Sequence, residues 1–288
     1  MPAIWLQQFD ICQNPCHILI SAVMGMTPIC GQPVHATFFQ DFKGNQKVQR
    51  TVSLSQLKIA CSNCNMRELC LPVDLSIGEM KQMELLSHAK HVYARGSYLY
   101  RSGDKLQSLY AIHSGSFKTQ FLHEDGREQV TGFQMVGEII GLDAISTDRH
   151  SCDAIALENS EVCELPFGKL ESLSRELPSL QRHLHKIMSS EIVRSQGIML
   201  LLGSMRAEQR LAAFLLNLSQ RFAARGLSPT RFQLRMSRQE IGSYLGLQLE
   251  TVSRAFSHFQ DDGLISVKVR AIEIHSLQRL QDCLNSSR

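Results

Sequence analysis

The sequence predicts an α+β fold in which a jelly-roll-like antiparallel β-roll precedes a long helix and a small C-terminal helical domain. Between Leu75 and Leu165, short apolar stretches alternate with turn residues about every 8–12 positions, as in an antiparallel sandwich or barrel. Beyond Leu170 the apolar residues recur at helical spacing instead. A chain of 288 residues, 43% of them hydrophobic, can bury two cores of ordinary size, so we expect two domains.

The turns of the predicted β-roll (residues 75–168) contain glycine, which tolerates the left-handed backbone of tight turns. They are Arg95-Gly96, Ser102-Gly103-Asp104, Ser114-Gly115, Glu124-Asp125-Gly126 and Val136-Gly137-Glu138. Residues 1–55 show no sustained period, and we expect a poorly ordered N-terminal extension; the choice of an upstream start codon is the alternative explanation. A cysteine-rich loop over residues 56–74 joins this extension to the β-roll.

One helix is predicted over residues 169–204, with two apolar stripes. The first stripe steps by three and four residues, the spacing of a helix that pairs with its twin. Its members are His185, Met188, Ile192, Ser195, Met199 and Leu202. A second stripe, available to pack on the β-roll, consists of Leu180, Leu184 and Ile187. Two stripes require two partners, which favours a dimerisation helix; the alternative is an amphipathic helix that packs only on its own domain.

The C-terminal part, residues 205–288, begins with a helix predicted over 207–225. Gly226 is a typical residue to end such a helix. After a short strand pattern come Ser237 and Glu240, three positions apart. This spacing predicts a capping box, in which the serine side chain accepts from a backbone N–H and the glutamate reaches back to the cap N–H. A second helix therefore begins here.

Gly246 breaks this second helix, and a further helix follows over about 248–260. Two helices separated by a short glycine-containing turn form the helix-turn-helix pattern. Strand patterns at 264–267 and 271–274, separated by a turn, then predict a β-hairpin wing. The order of these elements is that of a winged helix-turn-helix.

The last helix of the motif contains three candidates for reading DNA bases. Glu250, Ser253 and Arg254 lie at i, i+3 and i+4, so they share one face near the start of the helix, the part that meets base edges in the major groove. Arginine binds guanine O6 and N7, glutamate accepts from cytosine N4, and serine bonds to several edges. The residues that can pack inward are Val252, Ala255 and Phe256. The alternative is a surface Glu–Arg pair, but the preceding capped helix and glycine turn favour base reading.

The charge distribution is compatible with this prediction. From Arg206 to Arg288 there are twelve lysines and arginines against seven acidic residues, whereas the whole chain has a net charge of only +3. A basic C-terminal third is a weak indication of nucleic-acid binding. No apolar run is long enough to span a membrane, and the first basic residue, Lys43, comes too late for a secretory signal. We therefore expect a cytoplasmic protein.

The nine cysteines do not resemble a disulfide framework, because their number is odd and no secretory signal precedes them. Cys61, Cys64 and Cys70 follow the pattern C-x2-C-x5-C, and three thiolates at this spacing can surround one metal centre. Thiolates favour zinc and iron–sulfur clusters, and the spacing alone does not separate the two. Either centre needs a fourth ligand, for which the candidates are Cys30, Cys152 and Cys163.

Seven segments of the chain resemble the oxygen-sensing FNR/ANR branch of the Crp/Fnr family of bacterial transcription regulators. The resemblance as a whole extends from about Ala60 to the late 270s. The segments are Cys61-Ser62-Asn63-Cys64 through Leu69-Cys70-Leu71-Pro72, Ser108-Leu109-Tyr110-Ala111-Ile112, Gln129-Val130-Thr131-Gly132-Phe133, Ala156-Leu157-Glu158, Val162-Cys163-Glu164-Leu165-Pro166-Phe167, Glu208-Gln209-Arg210-Leu211-Ala212-Ala213-Phe214, and Ile241-Gly242-Ser243-Tyr244-Leu245-Gly246-Leu247 with Glu250-Thr251-Val252-Ser253-Arg254.

The resemblance implies a cofactor and a mechanism. It implies a [4Fe-4S] cluster held by Cys61, Cys64, Cys70 and Cys163. With the cluster intact, subunits of this branch dimerise through the long helix, bind a TTGAT-N4-ATCAA-type palindrome, and contact RNA polymerase to regulate anaerobic-metabolism genes. Oxygen degrades the cluster, the dimer loosens and the DNA is released, which makes the protein a two-state switch.

The chain departs from the family pattern at Ser195 and at Gln248. Ser195 stands on the dimer seam where the family often has an acidic residue, so the apo protein is expected to retain more dimer. Gln248 stands at the cap of the recognition helix, where serine or threonine is usual.

Two other functions remain as alternatives. A cyclic-nucleotide-responsive relative would use a Gly-Glu segment and an Arg-Ser pair; Gly137-Glu138 is present, but the second element is interrupted in Arg149-His150-Ser151-Cys152. Leu249 also occupies the position where the cyclic-AMP type has a further guanine-reading arginine. An iron–sulfur or thiol enzyme is the second alternative, but no acid–base constellation, phosphate loop or nucleotide fingerprint supports it.

Overall fold

A computed structural model describes residues 76–86, 90–123 and 126–285 of the chain. The predicted N-terminal extension over residues 1–55 and the cysteine-rich loop over residues 56–74 lie outside the described residues. So do three of the four predicted cluster ligands, Cys61, Cys64 and Cys70.

The first helix of the described residues and the strands that follow it form the predicted β-roll. Helix α1 spans Ile77–Leu86, and the eight strands are β1 (Lys90–Tyr93), β2 (Tyr98–Tyr100), β3 (Ser108–Ser114), β4 (Ser116–Leu122), β5 (Glu128–Met135), β6 (Ile139–Ile140), β7 (Asp153–Ala156) and β8 (Ser160–Pro166). They make two four-stranded sheets with the orders β1-β8-β3-β6 and β2-β7-β4-β5. All pairings are antiparallel, so the predicted β-roll is confirmed.

Glycine occupies the predicted turns because their backbone is left-handed. Gly96, Gly103, Gly115, Gly126 and Gly137 all have φ between 82° and 90°. At Gly115, between β3 and β4, space also requires glycine, since a Cβ atom would lie 2.1 Å from the Ser160 hydroxyl.

Two helices follow the β-roll where the sequence predicted one over residues 169–204. Helix α2 spans Phe167–Glu176 and helix α3 spans Pro178–Ser204, and they are separated by Leu177 in an extended conformation. Proline lacks an N–H and disfavours helical backbone at the residue before it, so Pro178 ends one helix and begins the next. The long helix therefore begins nine residues later than predicted.

The two predicted stripes of α3 lie in different environments. Leu180 is buried, and Leu184 and Ile187 pack against the same cluster of β-roll side chains, as predicted. On the other stripe His185, Ile192, Ser195 and Met199 are exposed, while Met188 and Leu202 are half-buried. Ile192 and Met199 are 59% and 64% exposed. Together they form an apolar surface that the described part of the chain leaves uncovered.

The C-terminal domain has the predicted order of elements. It comprises α4 (Ala207–Ala223), β9 (Arg231–Gln233), α5 (Arg238–Leu245), α6 (Leu249–Asp261), β10 (Ile265–Lys268), β11 (Ala271–Ile274) and α7 (Leu277–Asn285). The capping box is confirmed at the start of α5: the Glu240 N–H donates to Ser237 Oγ at 3.2 Å and the Ser237 N–H donates to Glu240 Oε2 at 2.7 Å. Gly246 ends α5 with φ 62°, and the hairpin β10–β11 forms the wing.

The main hydrophobic cluster of the C-terminal domain extends into the β-roll. Val130, Phe133 and Leu157 of the β-roll belong to the same buried cluster as the core of helices α4 to α7. The ring of Phe133 lies 5.1 Å from that of Tyr244 and 6.0 Å from that of Phe214, centroid to centroid. No helix in the described ranges is both long and apolar enough to cross a membrane.

Candidate nucleic-acid interface and regulatory sites

The helix-turn-helix is tightly packed at its turn. A Cβ atom on Gly242 of α5 would lie 2.6 Å from the carbonyl oxygen of Leu247, so only glycine allows this close approach of the turn. Gln248 begins α6 in an extended conformation and its side chain makes no capping hydrogen bond. Helix α6 is therefore positioned by packing rather than by a polar cap.

The predicted base-reading residues lie on the exposed face of α6. Glu250, Ser253 and Arg254 are all exposed. The opposite face is buried, as predicted, through Val252, Ala255 and Phe256, which are at most 4% exposed. The structure thus brings the three candidates together on one accessible surface at the start of the helix.

Arg238, at the start of α5, stabilises the recognition helix from the side. Its guanidinium carbon lies 3.0 Å from the centroid of the Phe256 ring, a cation–π contact. Burial lowers the pKa of Arg238 to about 10, still well above neutral pH. No pattern in the sequence indicates this contact, because an arginine after a capping serine is ordinary in a solvated helix.

The tip of the wing has an unusual backbone. Val269 has φ 58° and is 97% exposed, between the exposed residues Lys268 and Arg270. A β-branched residue seldom adopts a left-handed backbone, because its side chain collides with the neighbouring carbonyl. The wing tip therefore stores strain beside two cations.

Helix α5 is attached to the hairpin β4–β5 by polar contacts at both of its ends. Lys118 Nζ of β4 lies 3.0 Å from Glu240 Oε1, so the capping-box carboxylate also binds the β-roll. At the other end, the Val130 N–H donates to Ser243 Oγ at 2.8 Å and Ser243 Oγ donates to the Glu128 carbonyl at 3.1 Å. These contacts join residues more than 110 positions apart, so no local pattern in the sequence predicts them.

A second attachment, which we call the interdomain ion cluster, consists of Glu138, Arg194, Arg221 and Arg225. Arg221 donates to both carboxylate oxygens of Glu138, at 3.1 and 2.7 Å, and Arg225 donates to Oε1 at 2.7 Å. Burial alone would raise the pKa of Glu138, but the three arginines outweigh it and hold that pKa below its ordinary value. In the sequence, the i, i+4 spacing of Arg221 and Arg225 is the pattern that could have indicated a shared acidic partner.

A cavity of about 850 Å³ lies between the β-roll and α3, and its lining decides whether it suits the ligand of the cyclic-nucleotide-responsive alternative. Its lining includes Asp143, whose carboxylate accepts from the Ser151 N–H at 2.8 Å. Glu191 also lines it, and Arg194, the arginine in the lining, is paired with Glu191 at 3.1 Å. Since Glu138 is bound to arginines and Asp143 would repel a phosphate, this geometry disfavours a cyclic nucleotide.

Of the predicted cluster ligands, Cys163 is the one within the described residues. It lies on β8, half-buried, opposite Lys90 of β1, the strand that the N-terminal segment and α1 lead into. It packs against the cluster that contains Met83 and Leu86 of α1. Cys163 thus lies on the side of the β-roll that packs against helix α1.

Cys152, the other candidate in the described residues, has a different environment. It is 5% exposed, and its Sγ lies 3.6 Å from Asp143 Oδ2. Burial and the neighbouring carboxylate raise the pKa of the Cys152 thiol to about 12. Because a metal ligand must be a thiolate, this environment suits Cys152 poorly for cluster binding. Neither cysteine belongs to a group of three metal-binding side chains within the part of the chain that the structure describes.

A β-roll joined through a long helix to a winged helix-turn-helix defines the class of the protein, a DNA-binding transcription regulator. A family model described as the Crp-like helix-turn-helix domain matches residues 209–283, and one described as the cyclic nucleotide-binding domain matches residues 90–176.

Proteins with similar sequences identify the family. The chain is 46% identical to the transcriptional regulatory protein btr of Bordetella pertussis, over 81% of this chain and 98% of the relative. It is 41% identical to the fumarate and nitrate reduction regulatory protein of Escherichia coli strain K12, over 84% of this chain and 97% of the relative. The chain therefore belongs to the Crp/Fnr family of transcription regulators, and its relatives are regulators rather than enzymes.

Solved structures agree with this assignment. FixK2 from Bradyrhizobium japonicum superposes with a TM-score of 0.64 at 29% identity, over 70% of this chain and 99% of that chain. The regulator CLP from Xanthomonas campestris, described as responsive to c-di-GMP, superposes with a TM-score of 0.56 at 26% identity, over 70% of this chain and all of that chain.

Proposed function

We propose that this chain is an oxygen-responsive member of the family that binds a TTGAT-N4-ATCAA-type palindrome as a homodimer. In this proposal it works in the cytoplasm, regulates genes of anaerobic metabolism and contacts RNA polymerase. The observation that carries the proposal is the exposed face of α6, on which Glu250, Ser253 and Arg254 lie together above a buried apolar face. Two such helices, related by a two-fold axis, suit a palindromic site.

The homodimer is proposed to form through α3. Its exposed stripe, with Ile192 and Met199, has the three- and four-residue spacing of a helix that pairs with its twin. The neighbouring stripe, with Leu180, Leu184 and Ile187, is already covered by the β-roll. A second copy of α3 is the partner that this spacing fits best.

The oxygen response is proposed to depend on a [4Fe-4S] cluster held by Cys61, Cys64, Cys70 and Cys163. Such a cluster, when bound, would supply iron and sulfide that oxygen can attack. The support is the thiolate-rich spacing of three cysteines and the place of Cys163 beside the strand and helix that follow them. Cys163 suits the role of fourth ligand better than Cys152, because burial raises the pKa of the Cys152 thiol to about 12 and a ligand must be a thiolate.

Anaerobic purification tests the cofactor. We expect stoichiometric iron and acid-labile sulfide and a visible absorption band in the wild type, and loss of all three in Cys163→Ser. Cys152→Ser is the matched control, since it changes a thiol on the same β-roll and should leave the iron content unchanged. A full cluster in Cys163→Ser, or its loss in Cys152→Ser, would show that the fourth ligand is wrongly assigned.

DNA binding of the same preparations tests the response. We expect tight binding to the palindrome under nitrogen and weaker binding after exposure to air. Equal affinity for the palindrome and for random DNA under nitrogen would contradict the proposed site. A large affinity change on addition of a cyclic nucleotide, with no change in air, would favour the cyclic-nucleotide-responsive alternative.

A further inference from the structure

The interdomain ion cluster joins a turn of the β-roll to the first helix of the DNA-binding domain. Glu138 follows Gly137 in the turn between β5 and β6, and its oxygens also accept from the Met135 N–H at 3.1 Å. Arg221 lies in the last turn of α4, and Arg225 lies two residues beyond the end of that helix. The carboxylate is thus fixed to its own turn and to α4 at the same time.

The hydrogen bonds from the two arginines fix the geometry of this attachment. Arg221 also donates to the Phe133 carbonyl at 2.6 Å and Arg225 to the Val136 carbonyl at 2.7 Å, so each guanidinium holds both a carboxylate and the backbone of the β-roll. The side chains of Glu138 and Arg225 are only 14% and 7% exposed. Buried bidentate arginine–carboxylate pairs have a narrow range of geometries, unlike solvated ion pairs.

The DNA-binding domain is held at a second, separate place. There, Lys118 binds Glu240 and the Val130 N–H binds Ser243, both on α5. Two polar attachments on different helices, together with the contacts of the Phe133 ring with Phe214 and Tyr244, fix the orientation of the domain. In this docked arrangement Glu250 and Arg254 stay exposed, so the contact does not cover the DNA-reading face.

We propose that Glu138 is a positioning residue for DNA binding, which holds the recognition helix at the orientation that sets the spacing between the two half-sites. The inference rests on the proposed dimeric binding to a palindrome. Recognition helices in such dimers meet half-sites about one helical turn, roughly 34 Å, apart. If the DNA-binding domain rotates relative to the β-roll, the distance between the two recognition helices no longer matches that spacing. Glu138 touches no base and acts through α4.

The test compares DNA sites that differ only in spacer length, using the full-length protein purified anaerobically. Glu138→Gln is the main variant, because it keeps the shape of the side chain and removes its charge. Glu171→Gln is the matched control, since Glu171 forms an exposed ion pair with Arg175 within α2, away from the DNA-binding domain. Fluorescence anisotropy gives the dissociation constants for four-base and five-base spacers and for random DNA.

We expect the wild type and Glu171→Gln to prefer the four-base spacer strongly. In Glu138→Gln this preference should fall at least tenfold, through weaker binding to the four-base site, while affinity for random DNA stays the same. A variant that is merely unstable would lose affinity for all three DNAs alike. A spacer preference equal to that of the wild type would overturn the inference.

A measurement without DNA separates this inference from the proposed function. The Val130 N–H crosses the interface to Ser243, so its hydrogen exchange reports whether the domain is docked. We expect faster exchange there in Glu138→Gln, with protection inside α6 unchanged. If the wild type has no preference for the palindrome, the proposed function is wrong; if exchange at Val130 is unaltered, the positioning role is wrong.

The triple variant Glu138→Gln with Arg221→Gln and Arg225→Gln covers the case in which a buried arginine without its carboxylate unfolds the protein. It removes the carboxylate together with both arginines that donate to it, while Arg194 keeps its pair with Glu191, and it should fold while still losing the spacer preference. A folded triple variant with the wild-type preference and wild-type exchange at Val130 would also refute the role of Glu138.

Discussion

Replacing Ser195 by aspartate should convert the stripe of α3 from one that favours association into one that opposes it. Ser195 is exposed and lies between Ile192 and Met199 on the proposed dimer seam. In a symmetric pair of helices each seam residue meets its own counterpart or a near neighbour, so Ser195→Asp places two carboxylates close together. In the wild type the serine hydroxyls can instead hydrogen-bond across the seam.

The size of the effect follows from the exposure of the site. Helices pack with their axes about 8–10 Å apart, which leaves seam side chains in contact. Two like charges about 4 Å apart repel by about 1 kcal/mol in water and about 4 kcal/mol where the effective dielectric constant is near 20. The apolar neighbours of Ser195 would exclude water from the seam only in part, so the repulsion should lie between these two limits. We therefore expect the dimer dissociation constant to rise by roughly 5-fold to 1000-fold.

Analytical ultracentrifugation of the apo protein at matched concentration and salt measures this change. Ser190→Asp is the control, since Ser190 is also an exposed serine of α3 but points well away from the stripe, with its hydroxyl donating to the Lys186 carbonyl at 2.8 Å. The control should dissociate like the wild type. Equal dissociation constants for Ser195→Asp and the wild type would refute the seam assignment.

Three further predictions concern the wing, the recognition helix and the capping box. Val269→Gly should raise the free energy of unfolding by roughly 0.5–1 kcal/mol, because relief of the left-handed strain exceeds the added chain entropy; urea denaturation measures it, and a loss of stability would show that no strain is stored there. Arg254→Ala should cost about 1–3 kcal/mol per half-site on the specific sequence and relax specificity at one base pair, and an equal loss on random DNA would contradict base reading. Burial tends to raise the pKa of Glu240, but the Ser237 N–H and Lys118 lower it overall below its ordinary value of 4.5. The stability that this ionised group adds is therefore present above pH 4.5 and lost as the pH falls through the lower folded value, so the difference in unfolding free energy between wild type and Glu240→Gln should shrink in acid; a constant difference would contradict the assignment.

The features that the sequence predicted well are those set by neighbouring residues. The capping box depends on the three-residue spacing of Ser237 and Glu240, whereas the stop at Gly246 and the turns of the β-roll depend on single glycines with left-handed backbone; all are confirmed. The buried face of α6 follows in the same way from helical periodicity. The break before Pro178 follows from a local rule of the same kind, since proline disfavours helical backbone at the residue before it.

The contacts that hold the two domains together could not be predicted from local patterns. Glu138 and Arg221 are 83 residues apart, and Ser243 and Val130 are 113 apart. Each of these residues is compatible with a solvated surface when its neighbours alone are considered. Their partners become evident only when the β-roll and the helix-turn-helix are packed against each other.

The buried cluster that Phe133 shares with Phe214 and Tyr244 has a consequence for the engineering of chimeric regulators. A cut at residue 205 would separate the recognition module from the strand that completes its core, and the excised module would expose aromatic rings to water. Exchange of DNA-binding modules between relatives of this chain should therefore succeed only when the β4–β5 hairpin is transferred with the helices it packs against. The segment that must be exchanged to transfer DNA specificity is then larger than the helix-turn-helix itself.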